Sequence, residues 1–193
     1  QSVEFYGPHG AGKSMLLHRL ASRVPRKDFP DGIVSLSARH QTLEDLQQQL
    51  FERFYQTDPL AKISSSDLQT HLASKTALVV IDDVSLPQDE LETLIESIPK
   101  STFLIASTEH HSWANWQTIP VSELPLPDSL QLAEEAMGRP FSPEEQPAIQ
   151  TICTILRNQP LGILQVISLA REKEMSLVSL SQRLRETPSD QDI

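Results

Sequence analysis

The feature that most constrains this chain is Gly7-Pro8-His9-Gly10-Ala11-Gly12-Lys13-Ser14, which satisfies the pattern G-x-x-x-x-G-K-[ST] at every fixed position. Such a loop works only between a strand and a helix, and both flanks read that way. Ser2-Val3-Glu4-Phe5-Tyr6 reads as a short strand, and Met15, Leu16, Leu17 and Leu20 read as the buried face of a helix. Three of the chain's six glycines, Gly7, Gly10 and Gly12, fall inside these eight residues. Glycine lets the backbone curl around an anion so that successive N–H groups converge, and the helix starting near Lys13 aims its positive end at the same point. In that arrangement Lys13 contacts the β- and γ-phosphates of a nucleotide and Ser14 ligates Mg²⁺. The candidate nucleotide-binding set here is Gly7, Pro8, His9, Gly10, Ala11, Gly12, Lys13, Ser14 and Met15. His9 occupies a variable position and reads as exposed rather than catalytic.

The remaining composition limits the classes of partner. At 193 residues with 38% apolar content the chain can bury a core of one large domain, or of one medium and one small. A net charge of −10 argues against a generic nucleic-acid or anionic-membrane surface, because both need clustered Lys and Arg. The single Cys153 excludes an internal disulfide framework, and no apolar run approaches the ~20 residues of a membrane span. A soluble, cytoplasmic protein of a reducing compartment is expected. The chain starts at Gln1, directly on the first strand and without a Met, and reads as excised from something longer.

Along the chain, strands alternate with helices. Ile33 to Ser37 reads as a second strand. Thr42 with Asp45 caps a helix whose apolar face is Leu43, Leu46, Leu50, Phe51 and Phe54. A polar helix from Ser66 to Ser74, with Leu68 and Leu72 as its only large apolar residues, is expected on the surface. Ala77 to Ile81 is the continuous apolar run of a strand buried on both faces, and it ends in Asp82-Asp83. A helix over 88–97 leads to a strand at Thr102 to Ala106, and a short fifth strand is expected at Thr118 to Val121. The economical architecture is a parallel sheet covered on both faces.

Near Pro120, Pro125 and Pro127 the pattern changes to a linker followed by helices alone. These are expected at 128–137, 143–157, 161–172 and 177–185. Ser142-Pro143-Glu144-Glu145 reads as a capping box with proline at the first helical position. The face of Ile149, Ile152, Cys153 and Leu156 and the face of Leu177, Leu180 and Leu184 should pack as a small bundle. The expected division is a nucleotide-binding domain over 1–126, a helical domain over 127–187 and a frayed tail over 188–193.

Further candidate chemistry lies at the carboxyl edge of the sheet, where open α/β folds bind ligands. Asp82 would hold Mg²⁺ through water, and Asp83 would orient or deprotonate the attacking water; the plain alternative is a pair of solvated loop carboxylates. Ser107 and Thr108 either sense a γ-phosphate or merely end their strand. His110-His111 lacks partners at metal-ligand spacing. Trp113 and Trp116 read as packing residues and Cys153 as a small core residue; Arg39 either reaches the phosphates or, the plainer reading, is a surface residue.

The phosphate loop, the Leu78-Val79-Val80-Ile81-Asp82-Asp83 strand, the strand closing on Ser107 and the helical appendage together resemble the signal-transduction ATPases with numerous domains (STAND), the group that includes the NB-ARC ATPases. Asn158-Gln159-Pro160-Leu161-Gly162 looks like that family's Gly-x-Pro-Leu-Ala motif, and the resemblance implies that Pro160 packs on adenine. It also implies a P-loop NTPase fold with three αβα layers and a mainly parallel sheet, followed by a small all-helical bundle, and ATP or ADP with Mg²⁺ as ligands. Two departures stand out. Glu109 follows Ser107-Thr108 where the family often has Arg, and Asn158 replaces a glycine, a mild change because Asn tolerates a left-handed backbone.

The resemblance implies a nucleotide-controlled switch with slow hydrolysis, Asp83 and Lys13 as its catalytic pair, and self-association in the ATP state alongside other domains of a longer chain. A mechanochemical AAA+ ATPase shares the loop and acidic pair but needs a pore element and a trans-acting Arg that the sequence does not offer. A phosphotransferase needs an arginine-bearing lid, and a binding-only module needs none of these. No direct nucleic-acid or membrane contact is expected.

Overall fold

The computed structural model describes residues 1–55 and 65–186. The tail expected to fray lies outside them. The chain divides into two compact units, Gln1–Pro8 with Lys13–Val121, and His9–Gly12 with the chain from Ser122 onward.

The first unit is an α/β sandwich built on five parallel strands in the order β2-β3-β4-β1-β5. They are β1 (Val3–Tyr6), β2 (Ile33–Ser37), β3 (Leu78–Val84), β4 (Thr102–Ser107) and β5 (Gln117–Pro120). All five expected strands form. Side chains alternate between the faces, as the period of two requires. Val79, Ile81, Phe103 and Ile105 join Val34 and Leu36 on one face, covered by Leu46, Leu50 and Phe51 of α2 (Leu43–Phe54), Leu68 and Leu72 of α3 (Ser65–Leu72), and Leu91 and Leu94 of α4 (Gln88–Glu96). Leu78, Val80, Leu104, Ala106 and Phe5 form the other face with Leu17 and Ala21 of α1 (Lys13–Ala21). The result is three αβα layers, the fold of P-loop NTPases.

Local signals set several boundaries. Thr42 and Asp45 form the reciprocal capping box, with the Asp45 N–H donating to Thr42 Oγ1 at 3.2 Å and the Thr42 N–H to Asp45 Oδ2 at 3.1 Å. The polar α3 lies on the surface and turns its two large apolar residues, Leu68 and Leu72, into the core. One expectation changes. Met15 is not on the buried face of α1 but 76% exposed. Lys13, Leu17 and Ala21 recur four residues apart and define the inward stripe, which leaves Met15, about 200° from Leu17 around the axis, pointing outward.

The second unit holds α5 (Leu126–Met137), α6 (Gln146–Ile155), α7 (Pro160–Glu172) and α8 (Leu177–Glu186) around Ala133, Ile149, Ile152, Cys153, Ile163, Ile167, Leu177 and Leu180. The two apolar faces expected to meet share this core, with Leu156 and Leu184 at its margin. The start of α6 is corrected: it begins at Gln146, with no side-chain cap. Pro147 explains the shift. A helix begun at Pro143 would need an N–H from residue 147, whereas in the helix as formed Pro147 sits in the first turn, where its missing N–H is tolerated. Only half of the expected box survives, the Ser142 N–H donating to Glu145 Oε2 at 2.9 Å. Glu145 also takes both guanidinium nitrogens of Arg139, at 2.7 and 2.8 Å.

Candidate nucleotide site

Within the first unit, β1 runs into the loop at Gly7. Its φ is +152°, and a Cβ there would lie 2.1 Å from the Val121 carbonyl oxygen, so no other residue fits without moving β5's exit. The loop's far glycines, Gly10 and Gly12, also have positive φ, +80° and +97°, a conformation that glycine adopts without strain. Lys13 opens α1 and is 7% exposed. Its Nζ donates to the carbonyls of Gly7 at 2.7 Å and Pro8 at 2.8 Å, so the ammonium lies across the base of the loop. Burial pulls the Lys13 pKa below its ordinary value, while Asp83 and Asp82 act in the opposite sense. The acidic pair and the loop lysine therefore share one electrostatic neighbourhood. Ser14 follows, half-buried, and Pro8 and His9 are exposed.

Asp82 and Asp83 lie near the end of strand β3, where the pairing with β4 slips between Ile81 and Val84. Asp82 remains in register with Ser37 of β2. Asp83 takes a left-handed backbone, φ +54°, a conformation that Asp adopts more readily than most residues and that costs about 1–2 kcal/mol. Arg39, from the loop after β2, donates Nε at 2.9 Å and Nη2 at 2.6 Å to Asp83 Oδ2. The guanidinium that the sequence offered to the phosphates is thus engaged with the candidate base.

Ser107 ends β4 beside the loop, its carbonyl accepting the Gly7 N–H at 3.3 Å. Its side chain is 1% exposed and turned inward, with Oγ 2.9 Å from Glu4 Oε1 and 2.6 Å from the Glu109 carbonyl. Of the two readings of Ser107, phosphate sensor or strand end, the hydroxyl's position facing protein acceptors favours the second. Sequence reasoning missed Glu4. It is fully buried in β1, where its carboxylate also takes the His111 ring Nδ1 at 2.5 Å, the His111 N–H at 3.3 Å and the Trp113 indole N–H at 3.1 Å. The available signal was position: a carboxylate between Val3 and Phe5 in a strand that must be buried on both faces needs a partner. Trp113 and Trp116 stack at 4.4 Å between ring centres and Trp116 stacks on Phe103, so both pack as expected.

Within the second unit, the loop segment His9–Gly12 meets the start of α7. The Leu161 N–H donates to the Gly10 carbonyl at 3.2 Å, and Pro160 Cγ lies 3.9 Å from where a Cβ on Gly12 would stand. Pro160 is thus brought beside the loop. Asn158 has φ +52°, the left-handed geometry expected of a glycine replacement, and its carbonyl accepts the Leu124 N–H at 3.1 Å. Cys153 is fully buried, and burial pushes its thiol up to about 11, which leaves it inert.

Among the described residues no cluster of three or more His, Cys, Asp and Glu side chains forms a metal cage. Mg²⁺ keeps most of its waters and binds through one or two protein oxygens and the substrate phosphates, so it needs no such cage. No helix among the described residues is long and apolar enough to cross a membrane.

No sequence-family model and no curated protein matches the chain. Solved structures do match. A RuvB mutant from Thermotoga maritima superposes with a TM-score of 0.59 at 14% identity, over 96% of this chain and 62% of that one. Cdc6p from Pyrobaculum aerophilum gives 0.64 at 14% identity, over 90% of this chain and 56% of that one. A Signal Transduction ATPase with Numerous Domains protein with a tetratricopeptide repeat sensor, from Pyrococcus horikoshii, gives 0.51 at 18% identity, over 95% of this chain and 30% of that one. These neighbours are P-loop ATPases, and at such identities the likeness establishes the fold. The chain spans about three fifths of the RuvB and Cdc6p chains and under a third of the STAND chain.

Proposed function

We propose that the chain is the nucleotide-binding part of a STAND-type switch ATPase, with 1–126 as its nucleotide-binding domain and 127–187 as its helical domain. Gly7 to Met15 cradle the phosphates of ATP or ADP, and Lys13 contacts the β- and γ-phosphates. Ser14 and Asp82 hold Mg²⁺, which neutralises charge on the phosphate oxygens. Asp83 takes the proton of the attacking water. Pro160, beside the loop, packs on adenine. Nucleotide state then biases conformation and self-association, in the cytoplasm and within a longer chain that carries further domains.

The observation that carries this reading is the buried Lys13 amine on the Gly7 and Pro8 carbonyls, with Asp82 and Asp83 acting on its charge. Two further observations support slow turnover. The Ser107 hydroxyl is committed to Glu4 and Glu109, and Arg39 occupies Asp83 Oδ2. The same engagement of Asp83 favours, as a second reading, a module that binds nucleotide without hydrolysing it.

The test is to denature the purified protein, identify the released nucleotide by chromatography, and follow ATP turnover with and without Asp83→Ala. Co-purified ADP with slow, Asp83-dependent turnover supports the switch. Bound ATP that never turns over moves the reading to the binding module, and empty protein with fast turnover moves it to a mechanochemical AAA+ ATPase.

A further inference from the structure

Charge in the first unit is sorted by layer. The chain carries −10 overall, yet from Met15 to Lys27 it holds no acidic residue, and Arg19, Arg23, Arg26 and Lys27 follow one another along α1 and the turn after it. All four are exposed, and among the described residues none of them has an ion-pair partner. Leu17 and Ala21 hold α1 on the sheet, while Met15 and Arg19, one helical turn apart, leave from its outer side. The layer on the other face of the sheet has the opposite sign. There α2 and α4 pack side by side, with Glu44, Glu52, Asp89, Glu92 and Glu96 exposed and Arg53 as the only cation in the two helices. Asp89, Glu92 and Glu96 are spaced three and four apart, so they form one stripe along α4. The amides that reach these carboxylates are neutral. Gln48 Nε2 donates to Glu52 at 2.7 Å, and Gln88 Nε2 donates to Glu92 at 2.8 Å and to the Ser112 carbonyl at 3.0 Å. The acidic charge of this layer therefore stands.

We propose that the α1 side of the first unit docks on the α2–α4 side of a second copy of this chain, setting Arg19, Arg23 and Arg26 against Asp89, Glu92 and Glu96. Complementary charge selects this occupant. A nucleic acid would meet the same cations, but also the repulsion of a protein whose net charge is −10. A second copy instead brings its acids as a compact stripe, which fits a compact basic patch. The two sides lie on opposite faces of one sheet, so the contact is heterologous. It leaves one basic and one acidic side free and extends into a ring or a filament rather than stopping at a dimer. Exposed ion pairs are individually weak and screened by salt, so the contact needs several of them together with an apolar anchor. Met15, 76% exposed on the side that carries Arg19, supplies that anchor. The contact gives a surface to the self-association proposed above and rests on that part of the reading, not on nucleotide hydrolysis.

The test is sedimentation velocity over a range of protein concentrations, at about 50 mM and about 500 mM NaCl, with ADP binding followed by calorimetry on the same samples. The native chain should grow beyond a monomer with concentration at low salt, and the association should weaken by about tenfold or more at high salt. Two double variants reverse one side each, Arg19→Glu with Arg23→Glu, and Glu92→Lys with Glu96→Lys. Each alone should stay monomeric, and an equimolar mixture of the two should associate again, because the reversed sides now match each other. A folding defect cannot produce that rescue. A native chain that is monomeric at both salt concentrations overturns the proposal, as does a double variant that associates as well as the native chain. A monomeric native chain that binds a DNA duplex, and loses it with Arg19→Glu and Arg23→Glu, assigns the basic side to nucleic acid and also overturns it. Failure to bind ADP overturns the nucleotide site and leaves the association result to stand by itself. If a double variant does not fold, Arg23→Glu and Glu96→Lys singly, with the salt dependence of the native chain, decide.

Discussion

In the proposed function Lys13 and Asp83 divide two tasks between them, and single substitutions separate these. Lys13→Ala removes the buried ammonium from the base of the loop and should abolish nucleotide binding. Asp83→Ala should spare binding and slow turnover by about 10²-fold or more, the scale of a lost general base. Calorimetry and a phosphate-release assay on the two variants check this, and equal loss of binding in both would contradict it. Gly7→Ala should destabilise the first unit by about 2 kcal/mol or more, read from urea unfolding, because its Cβ would be driven into the Val121 carbonyl at 2.1 Å. The loop itself was legible in the sequence because it is a local pattern whose three glycines take the positive φ that glycine tolerates. The partners were not. Arg39 and Asp83 are 44 residues apart and Glu4 and His111 are 107 apart, and no local spacing announces such pairs.

At the scale of elements, capping chemistry sets the ends of helices, and two ends behave differently. The Thr42 and Asp45 box is complete, so Thr42→Ala should cost about 1 kcal/mol in urea unfolding with the slope unchanged. At α6 the glutamate of the expected box serves Arg139 instead. The side-chain bonds from Arg139 and the Ser142 N–H hold the Glu145 pKa down to about 2. A depressed carboxylate contributes stability that is present above its ordinary value of 4.5 and fades as pH falls toward 2. Glu145→Gln should therefore show a smaller loss of melting temperature between about pH 5 and pH 2 than the native chain, followed by circular dichroism. The strands were readable from their apolar runs and bounding turns. The start of α6 was misread because two prolines compete for the first turn and only the later one leaves every needed N–H in place.

For the whole molecule, the sequence carried the alternation of strands and helices, but not the strand order. That β4 lies between β3 and β1 follows from pairing of residues far apart in sequence, such as Val80 with Leu104 and Phe5 with Ala106. This insertion sets Ser107 beside Gly7, and it also makes β1 an interior strand whose Glu4 must be buried. Breaking the buried pair should be expensive: Glu4→Ala, which strands every donor from Ser107 to Trp113, should cost about 3–5 kcal/mol in urea unfolding. Both tryptophans of the chain, Trp113 and Trp116, lie in the segment that Glu4 and Gln88 hold, stacked on each other, with Trp113 5.7 Å from the His111 ring. Intrinsic tryptophan fluorescence of this protein is therefore a local gauge rather than a global one. It reports the β4–β5 connection, with the quenching histidine built in beside the emitter, and it leaves the helical unit dark.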